Sequence, residues 1–150
     1  MKEIEVSMGK IAAAKNSGIL TASAVGSCLV IVLYDNVSRN GVLAHAMLPK
    51  RMHEDTVHEQ AKYVDCAIDE MIKKMSVLGL HRKDIEARII GGANMFTNLE
   101  PNIGKENIKS AKEKLKRESI HLAGELTGGT HGCSVEFDVA SGIVEVTIKF

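Results

Sequence analysis

The run "CLVIVLYD", residues 28–35, constrains the fold more than any other stretch. Successive side chains on a strand point to opposite faces, so an unbroken apolar run needs cover on both sides. The chain must therefore supply a layer above this strand and another below it. The flanking segments read as its neighbours. Ile4, Val6 and Met8 alternate with charged or small residues, as on a half-buried strand. "NSG" at 16–18 is a turn before "ILTASA", and "NVSRNG" at 36–41 is a turn before a strand "VLAHAML" at 42–48, which Pro49 ends. From Thr56 to Leu78, Val57, Ala61, Val64, Ile68, Met71, Ile72, Met75 and Leu78 form one stripe at helical period. Asp55 or Thr56 caps its start and Gly79 ends it. "EARIIGG" at 86–92 reads as a buried strand meeting a glycine turn, and a second helix spans about 104–118 with Ile108, Ala111 and Leu115 inward. "IHLAGEL" is a strand, "TGGTHG" a loop, and "SVEFDVASGIVEVTIKF" a closing hairpin turning near Ser141-Gly142. Strands at both ends and two helices between them predict one α+β domain over residues 1–150, a layered mixed sheet or sandwich with two main helices packed on it.

Composition narrows the classes of function. Nineteen basic and nineteen acidic residues cancel, which argues against nucleic acid or an anionic membrane surface as partner. There is no tryptophan and aromatics are 3% of the chain, so platforms for stacking bases are missing. No apolar run is long enough to insert into a bilayer, and "MKEIEVSMGK" lacks the apolar centre of a signal peptide. Three widely spaced cysteines, Cys28, Cys66 and Cys133, without any C-x-x-C, suit free thiols in a reducing cytoplasm.

Cys28 follows Gly26 and Ser27 at the mouth of the apolar run. A small core residue suits that position; so does a nucleophile, with an open approach and turn N–H groups beside it. His45 lies on the next strand, one turn away, and adjacent strands bring side chains to within about 5 Å. An imidazole at that distance activates a thiol. A histidine between alanines in "LAHAML" is equally a packing residue.

In order along the chain, "GSCLVIVLYD", "GVLAHAMLP", "GGANMF", "IGKEN" and "GGTHG" resemble the CheD family of chemoreceptor glutamine deamidases. The seventeen-residue step from Cys28 to His45 also resembles the family's spacing. The resemblance implies a cysteine-dependent hydrolase, an amidohydrolase converting glutamines of methyl-accepting chemotaxis receptors to glutamate and ammonia. Cys28 is then the nucleophile and His45 its base, with Gly26, Ser27 and Cys28 forming the oxyanion turn. No cofactor and no metal are implied. The family's third catalytic residue is a threonine six positions before the cysteine, where this chain has Ala22. Thr21 and Ser23 flank it, and a one-residue offset on a regular strand reverses the face. A bulge would return Thr21 to the site. Otherwise Ser23 or a backbone carbonyl orients His45. Cys133 stands where the family commonly has arginine, and it supplies neither the charge nor the donors.

The resemblance further implies cytoplasmic receptor helices as substrate and the CheC phosphatase as a regulatory partner. A binding module with little or no catalysis is the alternative, and a cysteine hydrolase of small substrates a third. Cys66 reads as a helix packing residue, and His53 and His58 as surface groups. His121, His131 and Cys133 fall short of a metal set. "KSAKEKLKRE" is a solvated charged face, and methionines such as Met47 and Met95 suit either core or an adaptable docking groove.

Overall fold

A computed structural model describes residues 2–51, 59–96 and 100–149. The elements run β1 (Glu3–Glu5), β2 (Ile11–Lys15), β3 (Ile19–Val25), β4 (Leu29–Asp35), β5 (Asn40–Ala46), α1 (Val64–Val77), β6 (Glu86–Gly91), α2 (Ile103–Arg117), β7 (His121–Thr127), β8 (Cys133–Asp138) and β9 (Ile143–Ile148). Two mixed sheets form. One has the order β2-β5-β4-β6-β7, the other β1-β3-β8-β9.

The apolar run lies at the centre, as its pattern demands. All seven residues of β4 are buried. Leu29, Ile31 and Leu33 face the helices, joining Ile68, Met71 and Met75 of α1 and Ala111 and Leu115 of α2. Val30, Val32 and Tyr34 face the four-stranded sheet, joining Leu20, Val135 and Phe137. The layers are therefore helices, five strands, four strands, with β4 contributing to both cores. Tyr34 ties the two sheets together. Its ring meets Phe137 edge-on with centroids 5.5 Å apart, and its hydroxyl donates to the Val139 carbonyl at 2.7 Å.

Several boundaries differ from the sequence expectation. The alternation at 4–8 yields only the three residues of β1; the chain then turns through Ser7–Gly9, leaving Met8 exposed. β2, "IAAAK", has no strand signature in its alanines; pairing with β5 from Ile11↔Ala44 to Lys15↔Asn40 creates it. β5 stops at Ala46. α1 begins at Val64, and Tyr63 supplies no side-chain cap. Residues 59–63 are not helical because they run along the end of β5, where Val64 N–H donates to the Leu48 carbonyl at 2.8 Å. The expected helix start at Thr56–Val57, its cap at Asp55 or Thr56, and His53 and His58 lie outside the described residues. Gly79 does end the helix, at φ +81°.

Candidate active site

The site is built where β4 begins. Gly26, Ser27 and Cys28 form the bend between β3 and β4, and every carbonyl of that bend is taken by a donor from elsewhere. Ala93 N–H donates to Gly26 O at 3.0 Å, and Gly92 N–H to Cys28 O at 2.8 Å. Asn107 of α2 donates from Nδ2 to Ser27 O at 2.8 Å. The same nitrogen donates to Met47 O at 3.0 Å, tying the bend to the end of β5. Among the described residues, no carbonyl accepts from the N–H of Ser27 or Cys28.

Glycines make this convergence possible. A Cβ on Gly91, at φ +108°, would stand 2.6 Å from Cys28 O; one on Gly104 would stand 2.4 Å from the carbonyls of Gly92 and Ala93. The β6–α2 loop and the first turn of α2 thus pack backbone to backbone beneath the bend. The segments "GSC", "GGA" and "IGKEN" of the sequence are one assembly in space. The glycine loop before β8 joins it through Gly128 N–H to Gly91 O at 2.9 Å and Asn94 N–H to Gly129 O at 2.9 Å.

His45 and Cys28 lie on the same face of the five-stranded sheet. Val30 pairs directly with His45, and Cys28 is two residues before Val30. The two are diagonal neighbours on adjacent strands. Diagonal positions are about 7–8 Å apart, within reach of a long or aromatic side chain. His45 is 2% exposed and Cys28 9%. His45 Nδ1 lies 3.0 Å from the Val6 carbonyl. A carbonyl only accepts, so Nδ1 carries the proton and Nε2 holds the lone pair. That Nε2 is buried without a partner among the described residues. The thiol of Cys28 contacts Met8 Sδ at 3.6 Å; no hydrogen bond joins it to the imidazole. Burial raises the Cys28 thiol pKa above 9.0, offset in part by its own backbone N–H. Burial lowers the His45 pKa below 6.5, offset in part by the Val6 carbonyl and by the charge of Glu5. Both shifts favour the neutral thiol and the neutral imidazole.

The Thr21 side chain lies on the opposite face of β3 from the buried Leu20 and Ala22. A bulge is present in β3, but it lies after Thr21: Ala22 pairs with Val135 and Val25 with Cys133, so β3 carries one extra residue there. Counting back in twos from buried Val25 would point Ser23 and Thr21 inward. The extra residue, with Ala24 at φ +54°, reverses that phase. Ala22 and Leu20 are buried in the sheet–sheet core instead. The Thr21 hydroxyl meets the Ile4 carbonyl at 3.5 Å, and Ser23 hydrogen-bonds Glu5. The Thr21 carbonyl accepts from Val6 N–H at 2.7 Å, and the Val6 carbonyl in turn faces His45 Nδ1.

The sequence assigns no site role to Val6, Met8 or Asn107, although Asn107 closes the segment "IGKEN". A backbone carbonyl leaves no side-chain signal. Asn107 does leave one: an amide on the apolar stripe of α2 beside Ala111, where solvated residues do not fall. Beside Ser27, a cleft of about 170 Å³ is lined by Ala93, Met95, Phe96, Pro101 and Ile103. A larger cleft, about 530 Å³, lies instead between α2 and the glycine loops. His121 and His131 are exposed and Cys133 is buried at the start of β8.

A family model described as "CheD chemotactic sensory transduction" matches residues 47–148. Cys28 and His45 precede that span, but longer matches include them. A protein of Thermococcus kodakarensis is 40% identical over 147 residues, covering 96% of this chain and 91% of its own. One from Pyrococcus horikoshii is 38% identical over 149 residues, with 97% and 92% covered. One from Clostridium botulinum strain Hall is 37% identical over 150 residues, with 97% and 93% covered. All three bear the name "Probable chemoreceptor glutamine deamidase CheD". With the family model covering most of the chain and such relatives covering nearly all of it, this protein belongs to the CheD family.

Proposed function

We propose that this chain is a cysteine-dependent protein-glutamine deamidase acting on chemoreceptors, with Cys28 as nucleophile and His45 as base. The observation that carries the reading is the placement of the Cys28 thiol and the unpartnered Nε2 of His45 on one sheet face. The names of the relatives support the substrate class.

The chemistry follows from two neutral groups. The substrate glutamine displaces Met8 from the sulfur, and Nε2 takes the thiol proton as sulfur attacks the amide carbon. The C–S bond forms while the carbonyl π electrons move to oxygen. Cys28 N–H and Ser27 N–H, which meet no carbonyl among the described residues, stabilise that oxyanion. His45 returns the proton to the nitrogen, the C–N bond breaks and ammonia leaves. Water then attacks the thioester, with its proton passing through Nε2 back to sulfur, and the product is glutamate. No step calls for a cofactor. Val6 holds the tautomer that this sequence needs. Receptor helices of this kind are cytoplasmic, and the chain acts there. No helix among the described residues is long and apolar enough to cross a membrane.

The test is conversion of glutamine to glutamate in purified receptor fragments, read by mass spectrometry. Cys28→Ala abolishes it while the circular dichroism spectrum is unchanged. Conversion by Cys28→Ala at the wild-type rate overturns the reading.

A second reading has its own support: Met8 covers the thiol, while Met95 and Phe96 are exposed beside the bend. That apolar rim suits a regulatory partner helix, such as one from the CheC phosphatase that the family resemblance suggests. Retention of CheC by the chain, without glutamine conversion by the wild type, favours this reading over the first.

A further inference from the structure

Asn107 is fully buried on α2, and its Nδ2 bridges the carbonyls of Ser27 and Met47. The orientation of the amide is fixed, because a flip would set Oδ1 against two acceptors. Oδ1 itself has no partner among the described residues, so only the donor end is used. A buried amide with an unsatisfied oxygen is destabilising, and hydrophobic packing alone gives no reason for it beside Ala111.

The peptide it holds explains what the amide does. In a planar trans peptide, C=O and N–H point in opposite directions. Fixing Ser27 O on Asn107, on the helix side of the sheet, therefore turns Cys28 N–H to the other side. The Cys28 side chain lies on that other side, in the core between the sheets. The N–H lies close enough to its own sulfur to oppose the effect of burial on the thiol. The second bond, to Met47, fastens the same peptide to β5, two residues beyond His45.

We propose that Asn107 is a positioning residue: it holds the Ser27–Cys28 peptide so that Cys28 N–H meets the oxyanion formed when Cys28 attacks an amide. The proposal rests on the cysteine-hydrolase reading above. It deepens that reading by assigning the oxyanion donor's orientation to a side chain of α2.

Two reactions of one sulfur separate this role from a merely structural one. Attack on a glutamine amide builds negative charge on oxygen. Alkylation by iodoacetamide displaces iodide at a saturated carbon and builds none. The experiment measures both in the full chain carrying Asn107→Ala or Asn107→Leu, with a glutamine-bearing receptor fragment as substrate. Asn107→Leu keeps the bulk and has no donor. The expected result is a kcat for deamidation lowered by roughly 10²–10³-fold, as for loss of one oxyanion donor. KM and the rate and pH profile of Cys28 alkylation stay within about threefold of wild type. Deamidation by either folded variant at near the wild-type kcat overturns the proposal. So does a parallel fall of alkylation and kcat, and so does failure of both variants to fold, since either makes Asn107 a stability residue. A wild type without Cys28-dependent conversion overturns the deamidase reading and this proposal together. A Cys28-dependent wild type beside fully active Asn107 variants overturns this proposal alone.

Discussion

His45 Nδ1 lies against the carbonyl of Val6, and Val6 N–H donates to the carbonyl of Thr21, so a chain of backbone groups stands where a Ser-His-Asp or Cys-His-Asn triad has a carboxylate or amide side chain. Thr21→Val removes a hydroxyl on the far side of the strand and leaves that backbone chain intact. Its kcat/KM stays within about threefold of wild type; a hundredfold loss measured in the same assay would return the hydroxyl to the machinery. The charge states at rest give a second prediction. The Cys28 thiol titrates above 9.0, so its alkylation rate climbs through pH 8 and 9 without levelling off. An ion pair at rest would instead plateau near neutrality. His45 titrates below 6.5, and the sign of its effect on stability follows. The unfolded chain binds the proton first as pH falls through 6.5, so stability from the neutral imidazole is present above 6.5 and is lost below it. Thermal denaturation at pH 7 and pH 5 shows this as a falling melting temperature, and His45→Gln reduces the difference.

Between elements, the meeting of the β6–α2 loop with the first turn of α2 sets the bend that carries Cys28. Gly104→Ala places a methyl 2.4 Å from the Gly92 and Ala93 carbonyls, which are backbone and cannot rotate away. The variant loses about 1–3 kcal/mol, a drop in melting temperature of about 3–10 °C for a domain of this size. Deamidation falls with it; wild-type stability by calorimetry would contradict the packing. Much of this level was legible in the sequence. An apolar run of seven can only be a strand covered twice, and the stripe through Ile68, Met71 and Met75 can only be a helix face. What escaped is what the residues themselves do not encode. β2 exists because β5 offers a partner to "IAAAK", and the first helix starts at Val64 because the preceding residues pair with the end of β5. The bulge in β3 is a single unpaired residue among Ser23 and Ala24, neither of which demands it. That bulge sets the face on which the Thr21 hydroxyl lies, so the alternatives the sequence leaves open at Thr21 and Ser23 are those governed by strand phase.

As a whole molecule, the chain is three layers sharing one central strand. Leu29, Ile31 and Leu33 belong to the helix core and Val30, Val32 and Tyr34 to the sheet core, so neither core survives loss of the other. Thermal unfolding is therefore one transition, with tyrosine fluorescence and helical circular dichroism melting together; separated midpoints would contradict shared packing. The same architecture puts the Cys28 bend where five segments of sequence meet, and both cores hold it, with Met8 against the sulfur. The central claim is that this sulfur becomes covalently attached to the substrate. Acid quenching of the wild type during turnover with a receptor fragment, followed by mass spectrometry of the peptide bearing Cys28, tests it most directly. The account predicts a thioester on Cys28 that hydroxylamine releases and that His45→Gln fails to accumulate. Glutamine conversion at full rate with Cys28 unmodified throughout would contradict it.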